Sequence, residues 1–181
     1  MVLSEAAKEF ILHWGEMGTR WGVNRTVAQV HALLYLAPEA LTADEIAEAL
    51  SVARSNVSTS LKELQNWSLV EIESRIGERR DFFRTSSDVW ALFMTVVEQR
   101  FQREIVPTLT MLSRCVATAK AEGPSQALVR NRIAAMQAFL EELQGWYAQL
   151  RKLPPATLRS LIAMGSGITR ILPKSKRRRL D

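Results

Sequence analysis

The sequence has little of what staples or metallates a small protein: one Cys and two His in 181 residues. A lone Cys excludes an intramolecular disulfide framework and a Cys-rich zinc cluster. His13 and His31 are far apart, and no carboxylate pair or His cluster has metal-ligand spacing. No apolar run approaches the ~18 residues that a bilayer span needs. The opening MVLSEAAKEF lacks a basic n-region and carries Glu5 and Glu9 early, so it does not read as a secretory signal. There is no Gly-rich phosphate loop, no HExxH and no nucleophile–base motif. These absences leave no enzyme, cofactor or metal reading. They point to a cytoplasmic protein of a reducing compartment, with no membrane-spanning contact.

Hydrophobic residues make up 47% of the chain, too many for a disordered segment. The length suits one domain or two small ones. The net charge of +5 is unevenly placed. Residues 1–86 hold 9 basic and 12 acidic side chains, residues 87–169 hold 9 and 6, and residues 170–181 hold 6 and 1. The basic excess therefore sits at the far end and does not by itself locate a nucleic-acid surface.

Residues 5–14 read as a helix, and the three glycines of GEMGTRWGVN (15–24) as its break. Val27, Val30, Leu34 and Ala37 mark a second helix ended by Pro38, with Thr26 and Gln29 as a capping box. Thr42-Ala-Asp-Glu45 is a stronger capping box opening TADEIAEAL, and its acids suit the helix dipole. After SVA (51–53), RSNVSTSLKELQNW sets Val57, Leu61 and Leu64 on one face. The period then changes. SLVEIES (68–74) alternates, with Val70 and Ile72 against Glu71 and Glu73, RIGERR (75–80) is a turn, and DFFRT (81–85) returns as a second strand.

From Asp88 the helical period resumes, with Val89, Phe93, Val96, Val97, Phe101 and Ile105 on a wide stripe and a kink expected at Pro107. Gly123-Pro124-Ser125 is a break. Val129, Ile133, Met136, Leu140, Leu143, Tyr147 and Leu150 then form three heptads of an a/d seam. Pro154-Pro155 ends it, and a short helix over about 156–164 follows. The chain thus reads as mainly α with a small β-hairpin wing, residues 1–86 forming one domain and 87–181 a helical region.

Helix, capped helix, short turn, polar-faced helix and hairpin follow one another in the order of a winged helix-turn-helix. The major groove admits a helix whose outer face carries short polar side chains and cations. Arg54, Ser55, Asn56, Ser58, Thr59 and Lys62 are such a set. Arg can pair with guanine, Asn with adenine, and Ser or Thr with bases or phosphate. Hydroxyl residues and Asn are poor helix formers that solubility alone would not select. No acid lies between Arg54 and Lys62. At the hairpin tip Arg75, Arg79 and Arg80 can reach phosphates or the minor groove. Double-stranded DNA is the expected partner.

The stretch LTADEIAEALSVARSNVSTSLKELQNWSLVEIESRIGERRDFFRT resembles the DNA-binding core of the MarR superfamily of winged-helix regulators, and more narrowly its GbsR-type branch. FILHWGEMG (10–18), NVSTSLKEL with the following W-x-L-V, GERRDFF (77–83) and REIVP (103–107) carry the resemblance, which covers about residues 5–112. It implies a dimeric bacterial transcription regulator, in some relatives responsive to choline or glycine betaine. One departure is Ala53, where the family usually has a Ser N-cap. Losing such a cap costs about 0.5–2 kcal/mol. Either Ser51 or Ser55 caps in its place, or that helix end frays until DNA orders it.

A dimer places two recognition helices about 34 Å apart, one DNA turn. The 129–150 seam is the candidate for pairing with a second copy, for packing on its own chain, or both. Trp14, Trp21 and Trp90 are candidate faces for a quaternary ammonium effector, worth about 0.5–2 kcal/mol per ring by cation–π attraction. Ordinary core packing is the competing reading for each. Cys115 reads as a buried structural thiol. The tail KSKRRR (174–179) reads as a solvated end, a phosphate contact, or, with residues 158–172, a basic amphipathic segment at an anionic membrane. That last option carries the alternative function, a winged-helix protein-interaction or membrane-peripheral adaptor.

Overall fold

A computed structural model describes residues 3–168. The tail 174–179 and the end of the 158–172 segment lie outside the described residues. The elements are α1 (Glu5–Arg20), α2 (Arg25–Leu36), β1 (Leu41–Thr42), α3 (Ala43–Leu50), α4 (Arg54–Asn66), β2 (Glu71–Glu73), β3 (Phe82–Arg84), α5 (Val89–Arg100), α6 (Val106–Ala121), α7 (Ala127–Leu150) and α8 (Pro155–Ile168). The chain divides into two compact units, the first ending at Gln102 and the second starting at Arg103. The first therefore includes α5, beyond the sequence boundary at residue 86.

The core of the first unit is built on α2. Val30, Leu33, Ile46 and Val57 are fully buried, each worth about 1.5–3 kcal/mol over exposure. Ile11, Leu61, Leu64, Val70 and Phe83 complete the cluster. The expected break after residue 14 does not occur: α1 runs unbroken to Arg20. Its glycines permit a close crossing. A Cβ on Gly18 would lie 2.5 Å from Ala28 Cβ, and one on Gly15 would lie 2.7 Å from Gln29 Cγ. Gln29 is therefore not a capping partner. Asn24 is the N-cap of α2, its side chain accepting from the Thr26 N–H at 2.8 Å.

The sheet has the antiparallel order β1-β3-β2. Its edge strand β1 is too short to show a period. Leu41 pairs with Phe83, and Ile72 pairs with Phe83 from the other side. The alternation predicted for 68–74 holds only at its start: Val70 is buried, while Ile72 is 47% exposed. Phe82 and Phe83 are both buried, so the returning strand supplies apolar groups to both faces.

Helix α5 buries none of its residues fully, and Val89 and Phe93 are exposed. The disturbance expected at Pro107 is a π-helical turn over Phe101–Ile105, after which α6 starts with Pro107 in its first turn. That turn loosens the helix where a proline ring would otherwise meet the carbonyl one turn back. In the second unit α6 and α7 pack together, with Leu112, Ala119 and Tyr147 buried. A 3-10 turn at Pro124–Gln126 joins them. Helix α8 continues past the expected residue 164 to Ile168. Cys115 is half-buried, its Sγ 3.6 Å from Met111 Sδ, and so is not the fully buried thiol expected.

Candidate nucleic-acid interface

The candidate reading helix is positioned by α3. The Glu45 N–H donates to Thr42 Oγ1 at 3.3 Å, and Glu45 Oε2 accepts from the Thr42 N–H at 2.7 Å and its hydroxyl at 2.8 Å. Those bonds hold the Glu45 carboxyl below its ordinary range. Helix α3 closes on Ser51, which is left-handed with φ 54°. The three-residue turn then gives α4 the N-cap Ala53, with no side-chain cap bond. Neither Ser51 nor Ser55 caps: Ser51 terminates α3, and Ser55 lies within α4. Backbone bonds from the Asn56 and Val57 N–H groups to Ala53 O, at 2.9 and 3.2 Å, begin the helix alone.

Val57, Ser60, Leu61 and Leu64 turn inward on α4. Arg54, Ser55, Asn56, Thr59 and Lys62 are exposed, and Ser58 is half-buried. Thr59 bends its hydroxyl back onto the Ser55 carbonyl at 3.1 Å. Arg54 Nε donates to Asp44 Oδ1, ten positions earlier.

On the wing, Arg75 Nε donates to Glu73 Oε1 at 3.0 Å, and its guanidinium lies 4.1 Å from the Phe82 ring centre. Arg80 meets Glu78 Oε2 at 3.1 Å. Arg84, not picked out by sequence, lies between Glu71 and Glu73 at 3.9 and 3.8 Å. Lys62 and Arg79 have no carboxylate partner among the described residues. The i,i+2 spacing of Glu73/Arg75 and Glu78/Arg80 could have flagged the wing pairs. Nothing in the spacing flags Asp44 and Arg54, which meet only once α3 and α4 have packed.

A helix with an exposed polar face, a capped helix ahead of it and a hairpin behind it form the winged arrangement. Residues 21–81 match the model of the MarR family. Those residues carry a MarR-family helix-turn-helix, and β3 completes the wing just beyond them. The chain is 24% identical over 136 residues to the HTH-type transcriptional repressor GbsR of Bacillus subtilis (strain 168), covering 74% of this chain and 75% of that protein. YvaV of the same bacterium is 20% identical over 145 residues, covering 80% and 81%. The crystal structure of a transcriptional regulator superposes with a TM-score of 0.57 at 20% identity, covering 80% of this chain and 99% of that one, a likeness of fold.

The first unit has a small cleft of about 120 Å³. Trp14 and Trp21 line it together with Trp67, His31, Glu63 and Arg100, whereas Trp90 does not. Trp90 stands edge-on to Phe93 at 5.8 Å, and Trp14 stacks on Phe10 at 5.3 Å. The sequence thus named two of the three tryptophans of this cleft and missed Trp67. Arg100 donates to the Trp21 carbonyl at 2.8 Å and lies 5.9 Å from the Trp67 ring centre. Among the described residues no three His, Cys, Asp or Glu side chains gather to hold a metal, and no helix is long and apolar enough to cross a membrane.

Proposed function

We propose that the protein is a cytoplasmic transcription regulator that binds double-stranded DNA sequence-specifically as a homodimer and represses by occupying a promoter. The observation that carries this reading is the outer face of α4, where Arg54, Ser55 and Asn56 stand exposed. In this reading α4 enters the major groove and Arg75, Arg79 and Arg80 of the wing reach backbone or minor groove. Its action is binding, without catalysis. The name of the GbsR relative supports repression as its sign.

Pairing of two copies is supported by α7. Val129, Met136, Phe139, Leu143 and Trp146 are exposed along it. From Met136 to Trp146 they repeat at spacings of three and four, the pattern of a helix-pairing seam. Tyr147 of the same predicted seam is buried, so the seam divides between packing within the chain and an outer face for the partner. A small effector such as choline or betaine would bind in the Trp14–Trp21–Trp67 cleft, whose volume admits only a compact ligand. It would act by binding two states of the regulator differently.

The test is selection of bound fragments from genomic DNA, with sedimentation of the full chain alongside. One enriched sequence bound by a dimer, released by choline or betaine, is the expected result. A monomer at micromolar concentration, or binding that does not distinguish sequences, overturns the reading.

A further inference from the structure

Arg54 is held by its Nε edge. That nitrogen donates to Asp44 Oδ1, and the two Nη groups have no partner among the described residues. Both side chains are exposed. The contact bridges the first turn of α3 and the first residue of α4, so it is a tertiary pair between the two helices of the motif. A guanidinium has five donors in a rigid fork, and reading guanine takes the two on its outer edge. Fixing Nε leaves that outer edge aimed and unoccupied.

We infer that Asp44 is a positioning and specificity-determining residue that aims the Arg54 fork at a guanine edge and keeps Arg54 from acting as a loose phosphate anchor. This rests on the DNA reading above. An exposed ion pair contributes only about 0–1 kcal/mol to folding, so stability is not its main consequence. Its effect is on what Arg54 prefers. Against a phosphate, Asp44 competes as a second oxyanion for the same cation and repels the backbone. Against a guanine, the carboxylate can stay on Nε while both Nη groups donate to O6 and N7. Asp44 thus weakens contact with any DNA and leaves contact with one base intact. The wing differs: Arg80 gives both Nε and Nη2 to Glu78, at 3.2 and 3.1 Å, which occupies a full edge of its fork.

The experiment uses the full chain and an operator obtained by selection. Affinity is measured for that operator, for operators changed one base pair at a time, and for sheared bulk duplex. In Asp44→Asn, bulk duplex binds about threefold or more tighter. Discrimination at one G·C pair falls by about fivefold or more. Arg54→Ala abolishes discrimination at that same pair. Asp44→Ser, which keeps a small polar residue in the first turn of α3, shows the same pattern should the Asn variant fold poorly. Unchanged discrimination at every pair, or a loss spread evenly over all pairs as a shifted α3 would cause, overturns the assignment. Wild-type protein that prefers no sequence over bulk duplex overturns the DNA reading itself.

Discussion

His31 Nε2 and the Thr85 hydroxyl lie 3.3 Å apart, and that hydroxyl donates to the Leu69 carbonyl at 2.7 Å. With its one proton on Leu69, Thr85 Oγ1 accepts from the imidazole N–H. The contact joins α2 to the chain after α4 and to the end of β3. Burial pushes the imidazole down to about 4.

The pH dependence follows from that shift. The folded pKa lies below the unfolded value, so the unfolded chain takes up the proton first as pH falls. His31 favours folding above about pH 6.5, and that contribution declines toward pH 4 by about 3 kcal/mol in all. Denaturant unfolding across this range, compared with His31→Gln, should show a smaller loss of stability on acidification in the variant. Equal losses would mean that His31 titrates normally in the fold.

Gly18→Ala should destabilise the protein by about 1–3 kcal/mol, as overpacking does, although Gly→Ala inside a helix ordinarily stabilises by about 0.5–1 kcal/mol. The added methyl would meet Ala28 Cβ, which is fixed to the backbone of α2. Gly15→Ala should cost less, because its clash is with the side chain of Gln29, which can swing away. Melting temperatures of the two variants decide the order. A stabilised Gly18→Ala protein would mean that α1 does not cross α2 this closely.

Thr42→Val keeps the shape of the side chain and removes its hydroxyl, and should cost about 0.5–2 kcal/mol. The lowered pKa of Glu45 makes the capping box favour folding above the ordinary carboxylate range and fade as pH falls through the folded value. Unfolding measured at neutral and acid pH should therefore show the variant's deficit shrinking in acid. A deficit independent of pH would place the cost in packing alone.

Asn56→Ala should relax base choice at one position, whereas Arg79→Ala should weaken binding to every sequence and flatten the salt dependence by about one phosphate contact per half-site. Competition assays over a range of salt separate the two. Operator binding unchanged in both variants would mean that α4 and the wing do not face DNA.

Wherever one local rule decided the outcome, the sequence disclosed it: the Thr42–Glu45 box, the inward Val57, Leu61 and Leu64, and the disturbance at Pro107. It misled where a neighbouring element decided. Gly15 and Gly18 break a helix by propensity, yet against α2 they are what lets α1 pass. Gln29 suits a cap by spacing, but Asn24 lies nearer the helix start. Strand β1 is two residues long and exists only because β3 lies beside it. The candidate reading residues were legible as types on a helical face. The pairing of Arg54 with Asp44, and of the wing's Arg75 and Arg80 with Glu73 and Glu78, was not, because charge counted along the chain does not say which charges meet.

The two strands of the wing are three residues long each, and the turn from Ser74 to Asp81 is exposed throughout. The turn can open while Phe83, at its base, stays in the cluster with Val30 and Leu33. In hydrogen exchange the amides of the tip would equilibrate with solvent through local opening, while those of central α2 would wait for global unfolding. Ordering that tip on a duplex would then draw on binding free energy, so protection gained there measures how firmly a given DNA engages the wing.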